Sequence, residues 1–123
     1  MNDGEVFEAV GGEEAFVRLV DAFYRGVESD PPLRALYPED LAPGKQHLAW
    51  FLMERFGGPS HFSSRRGHPR LRMRHFRFAV TQEARDAWMQ HMRAAVQEAP
   101  EFAPARDLLL AYFEDAASFL INQ

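Results

Sequence analysis

An all-α fold is predicted by three features of the 123-residue chain. Apolar residues recur at helical spacing in separate runs, glycine pairs and prolines punctuate those runs, and no segment alternates with period two for long enough to be a strand. Gly11-Gly12 ends a short N-terminal helix and opens a second one. On that second helix Phe16, Leu19, Val20, Phe23, Tyr24 and Val27 have the spacing of one buried face. Asp30-Pro31-Pro32 stops it, because the residue before a proline is pushed away from helical angles. A short helical turn carries Leu33, Leu36 and Tyr37, and then Tyr37-Pro38 and Ala42-Pro43 predict irregular chain. A third amphipathic run holds Leu48, Phe51, Leu52 and Phe56 and is closed by Gly57-Gly58-Pro59. Ser60 to Arg72 is poor in apolar positions and reads as a loop with room for one helical turn. Thr81 is the expected N-cap of a long helix, with Glu83 favoured by the dipole of the first turn. Ala84, Trp88, Met92, Ala95 and Ala99 form a stripe on that helix, and a last helix carries Leu109, Tyr112, Phe113, Ala116 and Leu120.

With no internal repeat and no low-complexity linker, residues 1–123 are expected to form one domain with a single core. The net charge of -4 argues against general nucleic-acid binding. The absence of cysteine excludes disulfides, thiolate metal sites, iron–sulfur clusters and cysteine nucleophiles. The acidic start Met1-Asn2-Asp3-Gly4-Glu5 is unlike a signal peptide, and no apolar stretch is long enough to span a bilayer. A soluble cytoplasmic protein is the expectation.

Against this acidic background, Arg65-Arg66-Gly67-His68-Pro69-Arg70-Leu71-Arg72-Met73-Arg74-His75 packs five arginines around one proline and ends on a histidine. No Asp or Glu occurs from Arg55 to Gln82, so this segment asks for an anionic partner. A lone histidine at a helix edge is more often a surface or hydrogen-bonded residue than a metal ligand. HExxH is absent, and His61, His68 and His75 lie seven apart across Pro69, which argues against a zinc site built by the protein. Haem iron brings four ligands of its own and needs only one histidine. Haem is also an apolar disc with two carboxylates on one edge, which Arg70, Arg72 and Arg74 beside His75 suit by charge-assisted hydrogen bonds. A solvated basic loop without function is the plain alternative.

Eleven Phe, three Tyr and two Trp make the chain rich in aromatics, most simply as core. Tyr24 and Trp88 nevertheless fall on faces expected to be buried, with Tyr37 nearby in irregular chain, and each carries a polar hydrogen that needs a partner. Three donors converging in an apolar cavity call for an acceptor there, and dioxygen bound at iron, with its partial negative charge, is one.

The sequence resembles the truncated haemoglobins of the second group, the class with a tryptophan in the distal pocket. The matching elements are Val10-Gly11-Gly12, Phe23-Tyr24, Leu36-Tyr37-Pro38-Glu39-Asp40, Phe51-Leu52, Gly57-Gly58-Pro59, Arg66 to His75, and Arg85-Asp86-Ala87-Trp88, in order across most of the chain to Asn122. The arginine-rich run is highly specific, whereas the glycine pairs alone are weak. The resemblance implies a two-over-two helical sandwich around haem b, with His75 as proximal iron ligand and Tyr24, Tyr37 and Trp88 as a distal polar cluster. It puts Leu48 facing the ligand from the distal helix, with Phe51, Leu52, Met73, Phe78 and Met92 as apolar walls. Arg74, then Arg72, are the expected propionate contacts. Gly44 aligns where many globins hold a distal histidine and suggests an open access route, and the neighbouring His47 is expected to point elsewhere.

The implied chemistry is binding of dioxygen and other diatomic ligands at histidine-ligated iron. Several donors slow ligand release, which suits redox chemistry, nitric oxide chemistry or sensing better than transport. Peroxidase-like turnover is an alternative and would need electrons. The chain has no GxGxxG and neither glycine pair follows a strand, so a separate reductase is the expected source. Monomer and homodimer are both open. The rival readings are a cofactor-free helical interaction module, which leaves the polar aromatics unexplained, and an anion- or nucleotide-binding helical protein, which leaves His75 without a role.

Overall fold

The computed structural model describes residues 1–76 and 78–123, and every regular element among them is helical. Helix α1 (Val6–Ala9) ends at Gly11 and Gly12, whose φ values of 104° and 78° strain any residue with a side chain. Helix α2 (Glu13–Glu28) buries the face read from the sequence, Phe16, Leu19, Val20, Phe23, Tyr24 and Val27. Asp30 is extended and caps α3 (Pro31–Arg34): the Leu33 amide donates to Asp30 Oδ1 at 3.4 Å. Pro31 and Pro32 sit in the first turn, where a missing amide loses nothing.

Two segments expected to be irregular are helical. Ala42-Pro43 forms the first turn of α4 (Ala42–Arg55) for the same reason, that a proline at a helix start lacks only an amide with no intrahelical partner. The Ser60–Arg72 stretch, expected as a loop with room for one helical turn, contains both α5 (His61–Arg66) and the start of α6 (Leu71–His75). Helix α5 buries one residue, Phe62, edge-on against Phe51 at 5.6 Å, and its Ser63 amide donates to Glu54 Oε1 at 2.9 Å. One anchor and one borrowed acceptor leave no periodic trace in a sequence.

Helix α7 (Gln82–Glu98) starts on the expected cap, with the Ala84 amide donating to Thr81 Oγ1 at 3.1 Å. A 3-10 turn (Pro100–Ala105) leads to α8 (Arg106–Phe119). Helices α2 and α4 pack together, α7 and α8 pack together, and α2 lies on α7, which makes two layers of two long helices. Phe16, Phe23, Phe56, Phe102 and Phe113 are fully buried in the core. Arg85 and Arg93 of α7 both donate to the Glu114 carboxylate of α8. A Cβ at Gly57 would lie 2.0 Å from the Gly4 carbonyl oxygen, so only glycine lets the end of α4 close on the N-terminal turn. Among the described residues no helix is long and apolar enough to cross a membrane.

Candidate functional site

Five residues of α4 share one wall of a cavity of about 570 Å³: Gly44, His47, Leu48, Phe51 and Leu52, at helical spacings of three and four. Helix α6 supplies another wall through Leu71, Arg74 and His75, again one helical face. Helices α7 and α8 close the space with Ala84, Trp88, Phe113 and Ala117, among other side chains. The volume is that of a small-molecule or cofactor site, and the lining is mainly apolar with a few placed polar groups.

His75 is the first of these. Its Nδ1 lies 2.7 Å from the Leu71 carbonyl oxygen, one turn back on α6. A carbonyl can only accept, so Nδ1 carries the hydrogen, which leaves Nε2 as the nitrogen whose lone pair can bind a metal. A backbone carbonyl fixing the tautomer in this way is the usual support of a metal-binding histidine. The ring is further held edge-on to Phe78 at 6.3 Å.

Tyr24 of α2, Tyr37 after α3 and Trp88 of α7 reach the cavity from other walls. The two tyrosine rings meet edge-on at 5.7 Å. Trp88 is wedged between Phe23 at 5.0 Å and Phe113 at 5.7 Å, and it is half-buried because its remaining surface faces the cavity. Burial pushes the Tyr24 hydroxyl up to about 12. Burial, with Tyr24 beside it, raises Tyr37 further, opposed by donation from Trp88. Both phenols therefore keep their protons at neutral pH and remain donors. Gly44 leaves no gap, since a Cβ there would lie 2.8 Å from the Tyr24 hydroxyl: the phenol fills the space where an open access route was expected.

One edge of the cavity is cationic. Arg66 Nη1 lies 3.5 Å from His47 Nε2. Arg74 is anchored by its own loop, donating from Nε to the Pro69 carbonyl at 2.6 Å and from Nη2 to the Arg66 carbonyl at 3.0 Å. Burial, then Arg66, then Arg74 lower the His47 pKa, so His47 is neutral at pH 7.

Of the residues expected from the sequence, Tyr24, Tyr37, Leu48, Phe51, Leu52, Arg74, His75, Phe78 and Trp88 line this cavity. Arg72, Met73 and Met92 do not. Leu71, Arg74 and His75 occupy the inner face of five-residue α6, so Arg72 and Met73 point outward, where Met73 is 60% exposed and the Arg72 guanidinium lies 5.1 Å from the centre of the Phe119 ring. Met92 is fully buried, one turn past Trp88, where the stripe of α7 passes from the cavity into the core. His47, expected to point elsewhere, lines the cavity, and its spacing from Leu48, Phe51 and Leu52 was the available signal. Arg66 and Phe62 also line it, and neither stood out from its neighbours in the sequence.

Residues 5–122 match the bacterial-like globin family. A curated relative, the group 2 truncated hemoglobin YjbI of Bacillus subtilis, is 37% identical over 95% of this chain and 88% of its own length. The chain belongs to the group II truncated haemoglobins. Among solved structures, this globin is similar to the hemoglobin of Chloroflexus aurantiacus, with 52% identity, a TM-score of 0.93 and coverage of 96% of this chain and 98% of that one. The group II truncated hemoglobin of Bacillus anthracis gives 32% identity, a TM-score of 0.91 and coverage of 96% of each chain. Membership implies a globin that binds haem and oxygen. The cavity suits that group: apolar walls for the disc, a histidine with one ring nitrogen free, and Arg66, Arg74 and His47 at one edge for its carboxylates.

Proposed function

We propose that this globin holds haem b through His75 and binds dioxygen and other diatomic ligands beneath Tyr24, Tyr37 and Trp88, for redox chemistry or sensing rather than transport. The observation that carries this reading is the contact of His75 Nδ1 with the Leu71 carbonyl: it commits Nδ1 as a donor, so Nε2 is the nitrogen offered to a metal in the cavity. Haem, when bound, supplies an iron that takes a diatomic ligand and exchanges electrons. The protein supplies everything that sets how long the ligand stays. Tyr24 and Tyr37 present hydroxyls that burial keeps protonated, and Trp88 presents a donor that cannot lose its proton at all. Phe51 and Leu52 line the space they share and keep it apolar, which strengthens each hydrogen bond made inside it. Arg66 and Arg74 offer positive charge to carboxylates at the cavity edge. Three donors for one small acceptor favour retention over release, which supports redox chemistry or sensing.

The test is an absorption spectrum of the protein reconstituted with haem, repeated on His75→Ala. The expected result is stoichiometric uptake with a Soret band of histidine-ligated haem, lost or altered in the variant. Failure of the wild-type chain to take up haem would sink the reading.

A further inference from the structure

We propose that an acidic one-electron carrier protein docks on the outer groove beside α6 and delivers electrons to the haem pocket through it. The inference rests on the haem reading above and adds the partner and the surface. The groove encloses about 840 Å³ and is lined by Arg66, Arg72, Arg74, Met73, Phe76 and Phe78, with Leu120 and Asn122 at one side.

Three observations point to this occupant. First, the groove combines exposed apolar groups with cations: Phe76 is 80% exposed, Met73 60% and Phe78 42%. Arginine, methionine and aromatics are the residue types enriched at protein interfaces. Second, the charge is uncompensated. No Asp or Glu occurs from Arg55 to Gln82, and among the described residues none of Arg65, Arg66, Arg70, Arg72 and Arg74 pairs with a carboxylate. With Arg66 and Arg74 also offered to the haem carboxylates, Arg72 is the groove cation left for a partner, and on a chain with a net charge of -4 this local positive charge complements an acidic protein. Third, the groove and the cavity share a wall: Arg66, Arg74, Phe78 and Leu120 line both. A protein seated in the groove touches the side chains that enclose the cavity, the short path that an electron carrier needs. In the step itself one electron leaves an anionic flavin hydroquinone, which becomes the neutral semiquinone, and ferric iron becomes ferrous. No proton moves and no bond is made or broken on the flavin.

The experiment uses the haem-loaded protein and an acidic flavodoxin as the probe. Titration calorimetry with oxidised flavodoxin reads binding without electron transfer, and stopped-flow with the hydroquinone reads the second-order rate. Arg72→Glu and Phe76→Ser alter the groove outside the cavity lining, and Arg25→Glu at an exposed position of α2 makes the same charge change elsewhere. The expected result is that Arg72→Glu lowers the low-salt rate by about tenfold, since mutations of one interface move association over roughly one to three decades. It should weaken calorimetric binding in parallel, and added salt should erase most of the difference. Phe76→Ser should weaken binding at all salt concentrations, whereas reduction by dithionite should be the same in every variant. Equal losses in Arg25→Glu and Arg72→Glu would overturn the proposal, because net charge alone would then explain both. Sedimentation showing a dimer that Arg72→Glu dissolves would also overturn it, with the groove then covered by a second copy. Absence of a Soret band in the wild type would be failure of the haem reading instead.

Discussion

Trp88 illustrates how one side chain acquires a role from its neighbours. Phe23 and Phe113 pack on its ring at the cavity wall, and its donor reaches Tyr37, which lines the same cavity. A hydrogen bond to a ligand carrying partial charge contributes about 1.5–3 kcal/mol, so Trp88→Phe should speed oxygen dissociation by about tenfold or more. Stopped-flow displacement of oxygen measures this, and an unchanged off-rate would remove Trp88 from the ligand's partners. His75 shows the same logic. The sequence singled it out as the end of an arginine-rich run, but its suitability as a ligand comes from the Leu71 carbonyl that settles its tautomer.

At the scale of the element, short α6 is held in place from outside. Arg70 precedes it at φ 46°, a left-handed conformation that non-glycine residues seldom adopt, and Arg74 braces the preceding loop through its carbonyls. Beyond it, Asn122 acts as a clasp: its Nδ2 donates to the His75 and Phe78 carbonyls at 3.2 and 2.9 Å, and the Val80 amide donates to its Oδ1 at 2.9 Å. A helix of one turn has little stability of its own, so these contacts set the position of His75. Asn122→Ala should lower stability by about 1 kcal/mol, the scale of exposed hydrogen bonds, read by urea denaturation. It should also shift the iron–histidine stretching band in the Raman spectrum of the loaded protein. A change in stability with no shift would make the clasp structural only.

Across the whole molecule, three helices meet at one hydrogen-bonded side-chain pair. His91 of α7 places Nε2 2.8 Å from Asp30 Oδ2, while Asp30 also caps α3, and the His91 ring lies on Gly26 of α2, where a Cβ would come within 2.5 Å of Nδ1. The hydrogen bond from His91 holds the Asp30 carboxyl below the usual carboxylate range, although desolvation opposes it. Because the folded pKa is depressed, the stabilisation is complete above the unfolded value of about 3.9 and is lost as pH falls through the lower folded value. Urea midpoints of the wild type should exceed those of Asp30→Asn at about pH 5, and the gap should close toward about pH 2. A gap independent of pH over that range would mean that the carboxylate charge contributes nothing.

The long helices were legible because α2, α4 and α7 each bury a periodic face, and Thr81 and the glycine pairs mark ends by local chemistry that acts wherever the chain goes. Helix α5 was not legible, since Phe62 and the Glu54 acceptor exist as an anchor and a cap only after α4 is in place. The same division runs through the site. By itself the sequence determined the helical class, the concentration of positive charge in the arginine run and the family to which the chain belongs. Only the tertiary structure decided that Arg66 and His47 share the cavity edge, that Arg72 and Met73 face outward, and that the Tyr24 hydroxyl occupies the space beside Gly44. The physical reason is that periodicity specifies which face of a helix is buried, whereas the direction in which a short helix presents its polar residues depends on what packs against it from elsewhere in the chain.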